Sequence, residues 1–288
     1  MKKYSTNDLW IRVVLFFAIC VILIFSFQVF ILPLLRELFN NGEEFKSLTL
    51  ELSIVRAMNG IVGLGLVYVF LIFDRRKMDV VGLKWNSNRL EGIPINLPIS
   101  VEWILIGIPI ALLGLIPTVI IEIIFKIVEF GALLDIIGII VTLLVTVLAI
   151  GLGEEILFRG YLQTILETKY SFLVAALISS FLFGLLHFVL ASTSTVYHMI
   201  AILFSAMVMG LTFSYCYKVT QYNLILPVAI HGFWDFFLFI FQADFIYEDW
   251  TAVFFEILAS IIGATTIFLL VHIYRIKRLN SSSQKEIH

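Results

Sequence analysis

The chain has 288 residues, of which 61% are hydrophobic, 15% are aromatic and only 14% are charged, and its mean hydropathy is +1.04. In a soluble globular protein about a quarter of the residues are charged, so this chain cannot cover a core of its size with polar surface. Composition therefore excludes the soluble, fibrous and disordered classes and indicates a polytopic membrane protein. The net charge of −2 identifies no partner.

Apolar runs recur along most of the chain and are long enough, or nearly so, to cross a bilayer as helices. A spanning helix needs about 20 apolar residues for the ~30 Å hydrocarbon layer. The first run is too long for a signal-peptide core and has no small-residue cleavage site, so we expect it to remain as a helix. About eight spans are predicted: Trp10–Leu34, Ser53–Phe73, Val101–Phe125, Ile136–Leu152 with an apolar continuation, Ser171–Leu190, Met199–Tyr217, Leu224–Phe241 and Ala252–Tyr274.

The distribution of basic residues predicts the orientation of these spans, because positive charge is retained on the cytoplasmic side of a membrane. Alternate loops carry only Arg36, Lys46 and Lys126. The other set of loops, which includes both ends of the chain, carries Lys2, Lys3, Arg12, Arg75, Arg76, Lys77, Lys84, Arg89, Lys169, Lys218, Arg275, Lys277, Arg278 and Lys285. We therefore predict an all-α helical bundle with both termini in the cytoplasm of a multi-pass cell-membrane protein.

The chain contains no internal repeat, so residues 1–278 are predicted to form a single transmembrane domain. Residues 74–100 form the one long polar cytoplasmic connection, and residues 279–288 form a polar cytoplasmic tail that we expect to be disordered. Both Cys20 and Cys216 lie in apolar runs, which argues against a disulfide framework and against a cysteine zinc site.

A first group of charged residues interrupts the fourth apolar run. A charge at the bilayer centre costs about 2.5–3.5 kcal/mol on insertion scales, so such residues usually have a function. Glu155 and Arg159 are four residues apart in the favourable order, which predicts an ion pair on one helix face. Glu154 has Phe158 one turn ahead, so it is the freer carboxylate and the candidate general base. The alternative is a purely structural ion pair.

Two further groups contain histidine in otherwise apolar spans. His187 is alone in its span, where a helix–helix hydrogen bond is the alternative to a catalytic role. His231 and Asp235 are four residues apart, so Asp235 is expected to orient the imidazole of His231. Counted from the cytoplasmic turns at 1.5 Å per residue, the three groups lie at similar depths of about 20–27 Å. The sequence thus predicts that they converge on one cavity.

The long fourth helix raises a difficulty, because residues 135–168 as one helix would be about 50 Å long and would exceed the bilayer thickness. Gly151 and Gly153 are the expected sites of a break or sharp tilt. A break at these residues would place Glu154 near a helix N-terminus, where a carboxylate is favoured.

With these motifs the chain resembles the CAAX protease and bacteriocin-processing (Abi) family of intramembrane proteases, which includes the eukaryotic prenyl-protein endopeptidases. The resemblance covers roughly residues 145–241, with a protease core at about 135–242. The order, spacing and span placement match the family pattern, which reads here as Glu154-Glu155-x-x-x-Arg159, Phe183-x-x-x-His187 and His231-x-x-x-Asp235.

The resemblance implies a role for each matched residue. Glu154 corresponds to the glutamate that activates water, and His187 to the histidine that helps to hold this water. His231 and Asp235 correspond to the pair near the scissile carbonyl, proposed as oxyanion stabilisers or metal ligands. The prenyl-protein endopeptidases have Asn in place of Asp235, and ionised Asp cannot donate a hydrogen bond to an oxyanion. Phe183 is expected to pack rather than react, and Glu155 and Arg159 to support the site.

The need for a metal remains open at this point. The set Glu154, His187, His231 and Asp235 is compatible with zinc, and equally with a glutamate-activated water and no cofactor. The His-Glu-x-x-His zinc motif does not occur in the sequence.

We therefore predict an intramembrane peptidase that acts on a peptide or membrane-protein substrate in the lipid bilayer, with no nucleic-acid partner. The first alternative is a catalytically silent scaffold or bacteriocin-immunity protein that binds a membrane partner. The second is a transporter, since buried Glu, Arg and His also form proton relays. No pair of broken helices in corresponding halves supports the transporter. The sequence does not indicate the oligomeric state.

Overall fold

The computed structural model describes residues 5–34, 37, 48–74, 82, 99–131, 133–190, 195–241, 243–246 and 249–285. Most of the predicted cytoplasmic connection 74–100 lies outside the described residues. The same is true of several basic residues that predicted the orientation, namely Lys2, Lys3, Arg36, Lys46, Arg75, Arg76, Lys77, Lys84 and Arg89.

Helices form nearly all of the described chain, and each corresponds to one of the predicted spans. A π-helical turn, Phe27–Ile31, extends the first helix. The helices are α1 (Thr6–Ser26), α2 (Leu48–Phe73), α3 (Ile99–Ile124), α4 (Ile136–Leu166), α5 (Phe172–Leu190), α6 (Val196–Val219), α7 (Ile225–Ile240) and α8 (Trp250–Lys285).

Six helical segments among the described residues are long and apolar enough to cross a membrane: Thr6–Leu34, Val101–Ile124, Ile136–Leu166, Phe172–Leu190, Val196–Val219 and Trp250–Lys277. Two shorter apolar segments are Ala57–Phe73 and Ile225–Ile240. The prediction of an all-α polytopic membrane protein is therefore confirmed. The number of about eight spans and the cytoplasmic location of both termini stay predictions.

The outer face of α4 shows how the sequence separates a lipid-facing surface from the protein interior. Ile136, Ile140, Leu144 and Leu148 recur every four residues and are each more than half exposed. Such a stripe on one helix face suits a hydrocarbon environment. The opposite face of α4 packs against the protein interior.

Short polar side chains cap the N-termini of several helices. Asp135 accepts a hydrogen bond from the backbone N–H of Gly138 at the start of α4 (2.7 Å), and Ser5 accepts from Asp8 before α1 (3.1 Å). These caps satisfy backbone donors that have no partner within the helix. They fix where α1 and α4 begin.

The predicted break at Gly151 and Gly153 was wrong, because α4 is continuous through both residues. Gly151 has helical dihedral angles (φ −56°, ψ −51°), and π-helical segments Val145–Gly151 and Ile156–Gln163 flank the Glu154 turn. Glu154 therefore lies in the middle of a helix and not at an N-terminus. The 31 residues of α4 extend about 46 Å, a length that a helix can accommodate by tilting in the bilayer.

The two glycines of α4 serve close helix packing. A Cβ atom on Gly151 would lie 2.9 Å from the carbonyl oxygen of Val228 in α7. A Cβ atom on Gly153 would lie 2.7 Å from the Cα of Gly60 in α2. The absence of side chains at these positions lets α4 approach α2 and α7 at the level of Glu154.

Two further features depart from the predictions. Strands β1 (Val128–Phe130) and β2 (Ala243–Phe245) form an antiparallel pair that links the segments after α3 and α7. The tail at 279–288 was expected to be disordered, but α8 continues to Lys285. Extending an existing helix requires no new nucleation, so polar residues can continue a long helix.

The helices pack around two large apolar clusters, and a third, small apolar cluster contains Ile127, Ala201, Ala252 and Val253. The first joins α1, α2, α4 and α5, and the second joins α3, α6, α7 and α8. Helix α4 packs against α2, α5 and α7, and α6 packs against α5 and α8. The three helices that carry the motifs, α4, α5 and α7, therefore meet between the two clusters.

The structure also buries two carboxylic acids that the sequence analysis overlooked. Glu122 of α3 and Glu256 of α8 are almost fully buried, and their side chains hydrogen bond to each other. Ser205 and Ser260 donate to the Oε1 of Glu256 (3.0 and 3.3 Å). Each Glu interrupts an apolar run, which was a visible signal. This pair lies outside the motif helices.

Candidate active site

The four predicted catalytic side chains converge from three helices. The Oε2 of Glu154 on α4 lies 3.8 Å from the Nε2 of His187 on α5 and 3.8 Å from the Nε2 of His231 on α7. The Oδ2 of Asp235 lies 3.9 Å from the same Nε2 of His231. Both imidazoles thus face the same carboxylate oxygen of Glu154, and Asp235 lies beside His231.

A fully buried chain of hydrogen bonds lies behind this cluster. The Nη1 of Arg159 donates to the Oε1 of Glu155 (2.9 Å), as the four-residue spacing predicted. The same Oε1 lies 2.9 Å from the Nδ1 of His231. The chain Arg159–Glu155–His231 therefore connects α4 to α7, a contact that the sequence analysis did not predict.

The expectation that Asp235 orients His231 needs correction. Asp235 is one turn along α7 from His231, but its oxygen is 3.9 Å from Nε2, beyond hydrogen-bond distance. Glu155 reaches the other ring nitrogen from α4, and a carboxylate can only accept. The Nδ1 of His231 therefore carries the hydrogen, and its Nε2 faces Glu154 and Asp235.

The orientation of His187 is set within its own helix. Its Nδ1 lies 2.9 Å from the carbonyl oxygen of Phe183, one turn earlier. A carbonyl oxygen also only accepts, so Nδ1 donates and Nε2 is directed towards Glu154. Both imidazoles thus present the same ring nitrogen to the same carboxylate oxygen.

The ring of Phe183 packs at the centre of the site, in line with its predicted packing role. Its centroid lies 4.5 Å from the ring of His187, 5.8 Å from that of His231 and 4.6 Å from the guanidinium carbon of Arg159. The spacing Phe-x-x-x-His therefore supplies both a carbonyl that orients His187 and a ring that packs between His187 and Arg159.

The exposed fractions of the side chains divide the site into an accessible part and a buried part. The side chains of Glu154, His187 and Asp235 keep 17%, 24% and 21% exposure, whereas those of Glu155 and Arg159 keep none. The first three side chains are thus partly accessible, although the Oε2 of Glu154 is itself buried, and the ion pair is inaccessible. The ion pair contacts the accessible part of the site through the bond between Glu155 and His231.

Helix α6 also borders the site, although it carries none of the three motifs. The ring of Phe213 stacks on the imidazole of His231, with centroids 4.8 Å apart and planes 17° apart. Gly210 lies one turn earlier, against the Nη2 of Arg159. Sequence reasoning missed both residues, because a phenylalanine and a glycine in an apolar span carry no signal that distinguishes them from ordinary packing residues.

The predicted metal ligands face one another at distances slightly longer than those in a tetrahedral zinc site. In the part of the chain that the structure describes, no three His, Cys, Asp or Glu side chains are arranged to hold a metal ion. Zinc ligands at about 2.0–2.2 Å in a tetrahedron lie roughly 3.3–3.6 Å apart. The facing atoms of Glu154, His187, His231 and Asp235 are 3.8–3.9 Å apart.

The segment that carries these site residues is similar to a known protein family. Residues 136–237 match the family model described as type II CAAX prenyl endopeptidase Rce1-like. This segment of the chain is similar to the Rce1-like family. The match runs from the start of α4 into α7, so the Rce1-like segment contains every residue of the three motifs, and the resemblance predicted from them is confirmed. No curated protein matches the chain.

Proposed function

We propose that this Rce1-like protein is an intramembrane endopeptidase that hydrolyses a peptide bond with a water molecule activated by Glu154. The observation that carries the proposal is the position of one carboxylate oxygen 3.8 Å from the Nε2 atoms of both His187 and His231. These distances are too long for direct hydrogen bonds and suit a water held among the three groups.

Each of these groups has a role in the proposed reaction. Glu154 removes a proton from water while the water oxygen forms a bond to the scissile carbonyl carbon. The carbonyl oxygen becomes an oxyanion, which the Nε2–H of protonated His231 stabilises, with His187 holding the water. The C–N bond then breaks, and the proton passes from Glu154 to the leaving amine.

The buried ion pair supports this cycle by stabilising His231. Glu155 accepts from Nδ1 and Arg159 holds Glu155, so the imidazole can carry a positive charge while Nε2 donates to the oxyanion. Both supporting groups are ordered before substrate binds, which reduces the reorganisation needed in the transition state. Asp235 faces the same Nε2 and adds negative charge that favours the protonated ring.

The substrate is proposed to be a peptide or the tail of a membrane protein that reaches the site within the bilayer. The protease core is assigned to residues 135–242 of a single transmembrane domain, 1–278. With about eight spans, the distribution of basic residues favours a cell-membrane protein with both termini in the cytoplasm. Nucleic acid is not a partner in this account.

A catalytically silent scaffold or a bacteriocin-immunity protein is the second candidate. The partial exposure of Glu154 and His187 at a complete set of motif residues favours the peptidase. A binding protein without activity would not require two imidazoles directed at one carboxylate.

A peptide library digested in H₂¹⁸O tests the proposal. Purified protein in lipid discs is expected to release peptides whose new carboxylates contain one ¹⁸O atom, and the Glu154→Ala variant to release none above background. Intact peptides in both samples would contradict the proposal and favour the scaffold. Equal cleavage by both samples would point to a contaminating protease and likewise remove support.

A further inference from the structure

We infer that Phe213 is a positioning residue that holds the imidazole of His231 in its productive plane. The inference rests on the role proposed for His231, although Phe213 itself belongs to none of the three motifs. Phe213 is almost fully buried on α6, and its ring lies nearly parallel to the imidazole (4.8 Å, 17°). It is thus the only face-to-face ring contact of His231 among the described residues.

A hydrogen bond alone does not fix an imidazole. The bond from Nδ1 to Glu155 anchors one edge of the ring but leaves the ring plane free to tilt by rotation about the Cγ–Nδ1 edge. The flat face of Phe213 blocks that rotation on one side, and the ring of Phe183 meets the imidazole edge-on at 88°. The three contacts together direct Nε2 towards Glu154.

The phenyl ring also suits the charge on its neighbours. Aromatic faces attract cations, and the guanidinium carbon of Arg159 lies 5.3 Å from the centroid of Phe213. His231 is positively charged in this mechanism when both of its ring nitrogens carry hydrogen. An aliphatic side chain would fill the same volume but would provide neither the plane nor the electrostatic attraction.

Gly210, which is also on α6, packs against Arg159 at the other end of the buried hydrogen-bond chain. A Cβ atom there would lie 2.9 Å from the Nη2 of Arg159 and 3.0 Å from the Oγ of Ser180. A side chain at this position would displace the guanidinium. Helix α6 thus contacts both Arg159 and His231 while contributing no group to the chemistry.

Kinetics of matched variants test the inference once a cleaved peptide is known. Phe213→Leu and Phe213→Met remove the planar ring, and Phe213→Tyr keeps it. Phe204→Leu is the control, since Phe204 lies on the same helix with its side chain exposed. We expect the two aliphatic variants to lose about 10- to 100-fold in kcat with little change in KM, because small misplacements of catalytic groups have effects of this size.

Phe213→Tyr and Phe204→Leu are expected to stay within about threefold of the wild-type kcat, on the same scale of positioning effects. Wild-type kcat in both aliphatic variants, or a loss in Phe213→Tyr equal to theirs, would overturn the inference. If one aliphatic variant does not fold, the other serves the same comparison.

A spectroscopic measurement separates this inference from the proposed function. The Nδ1 proton of His231, bonded to Glu155, is expected to give a sharp downfield NMR signal in the wild type and in Phe204→Leu. The signal should broaden or vanish in Phe213→Leu. A wild type that cleaves no peptide but shows this pattern would defeat the proposed function and leave the positioning role intact. An unchanged signal in Phe213→Leu would defeat the positioning role.

Discussion

Glu155 links the buried ion pair with Arg159 to the imidazole of His231. Its Oε1 accepts from Arg159 and from His231, and the side chain is fully buried. The pair Glu155–Arg159 could be predicted from four-residue spacing. The bond to His231 could not, because it joins residues 76 positions apart and depends on how α4 and α7 rotate against each other.

Removing Arg159 alone is expected to harm stability more than removing Glu155 and Arg159 together. Arg159→Ala leaves the buried carboxylate of Glu155 with His231 as its remaining partner, and breaking a buried ion pair costs about 3–5 kcal/mol. The double alanine variant removes both charges of the ion pair. Melting temperatures in one detergent compare the two variants, and a clearly less stable double variant would contradict the ion-pair interpretation.

Replacing Asp235 distinguishes a metal-free site from a zinc site. In a metal-free site, Asp235→Asn provides a side chain that can donate to the oxyanion, so activity should survive or rise. In a zinc site, loss of a ligand or supporting carboxylate should weaken metal binding by about 10–100-fold and reduce activity.

The spacing of the facing atoms leads us to expect the metal-free result for Asp235→Asn. Turnover with and without added zinc, together with elemental analysis of the wild type, checks this expectation. Stoichiometric zinc, with activity lost on chelation and restored by zinc, would overturn it.

At the scale of the element, close contact between α2 and α4 sets the position of Glu154. A Cβ atom on Gly60 would lie 2.3 Å from the carbonyl oxygen of Ala149, a backbone atom that cannot move alone. Gly60→Ala should therefore push the helices apart and destabilise the protein by about 1–3 kcal/mol. Gly65→Ala is the control on the same helix, because nothing lies within 4 Å of a Cβ atom there.

Thermal unfolding of the two glycine variants in lipid discs provides the measurement. We expect a lower melting temperature for Gly60→Ala, and for Gly65→Ala no change or a slight rise from its better helix propensity. Equal melting temperatures would show that α4 is not held by this contact. The sequence suggested a break at Gly151 and Gly153 because glycine occurs both where helices break and where helices pack closely. A single sequence does not distinguish the two cases.

At the scale of the whole molecule, the predicted orientation can be tested with added cysteines. The native Cys20 and Cys216 are buried, so they should give little background. A membrane-impermeant maleimide should label Asp244→Cys in intact cells, and Lys169→Cys only after permeabilisation, since both positions are exposed. Labelling of Lys169→Cys from outside would reverse the orientation.

Much of the fold could be predicted because a bilayer imposes long apolar runs, and every predicted span is helical in the described residues. The pairing of β1 with β2 could not, since it joins three-residue segments more than a hundred positions apart. The helical tail up to Lys285 was also missed, because local composition does not reveal propagation from a long preceding helix. The convergence of Glu154, His187 and His231 could be predicted from their similar depths in the bilayer. The atoms that face one another could not be predicted, because they depend on side-chain geometry.

The most direct test of the account is the rate of peptide hydrolysis by Glu154→Gln. Gln keeps the shape of the side chain but cannot accept a proton, so the rate should fall about 10²–10⁴-fold while the protein still folds and inserts. Glu122→Gln, which changes a buried glutamate outside the motif helices, is the matched control and should retain activity. Wild-type hydrolysis by Glu154→Gln would contradict the mechanism.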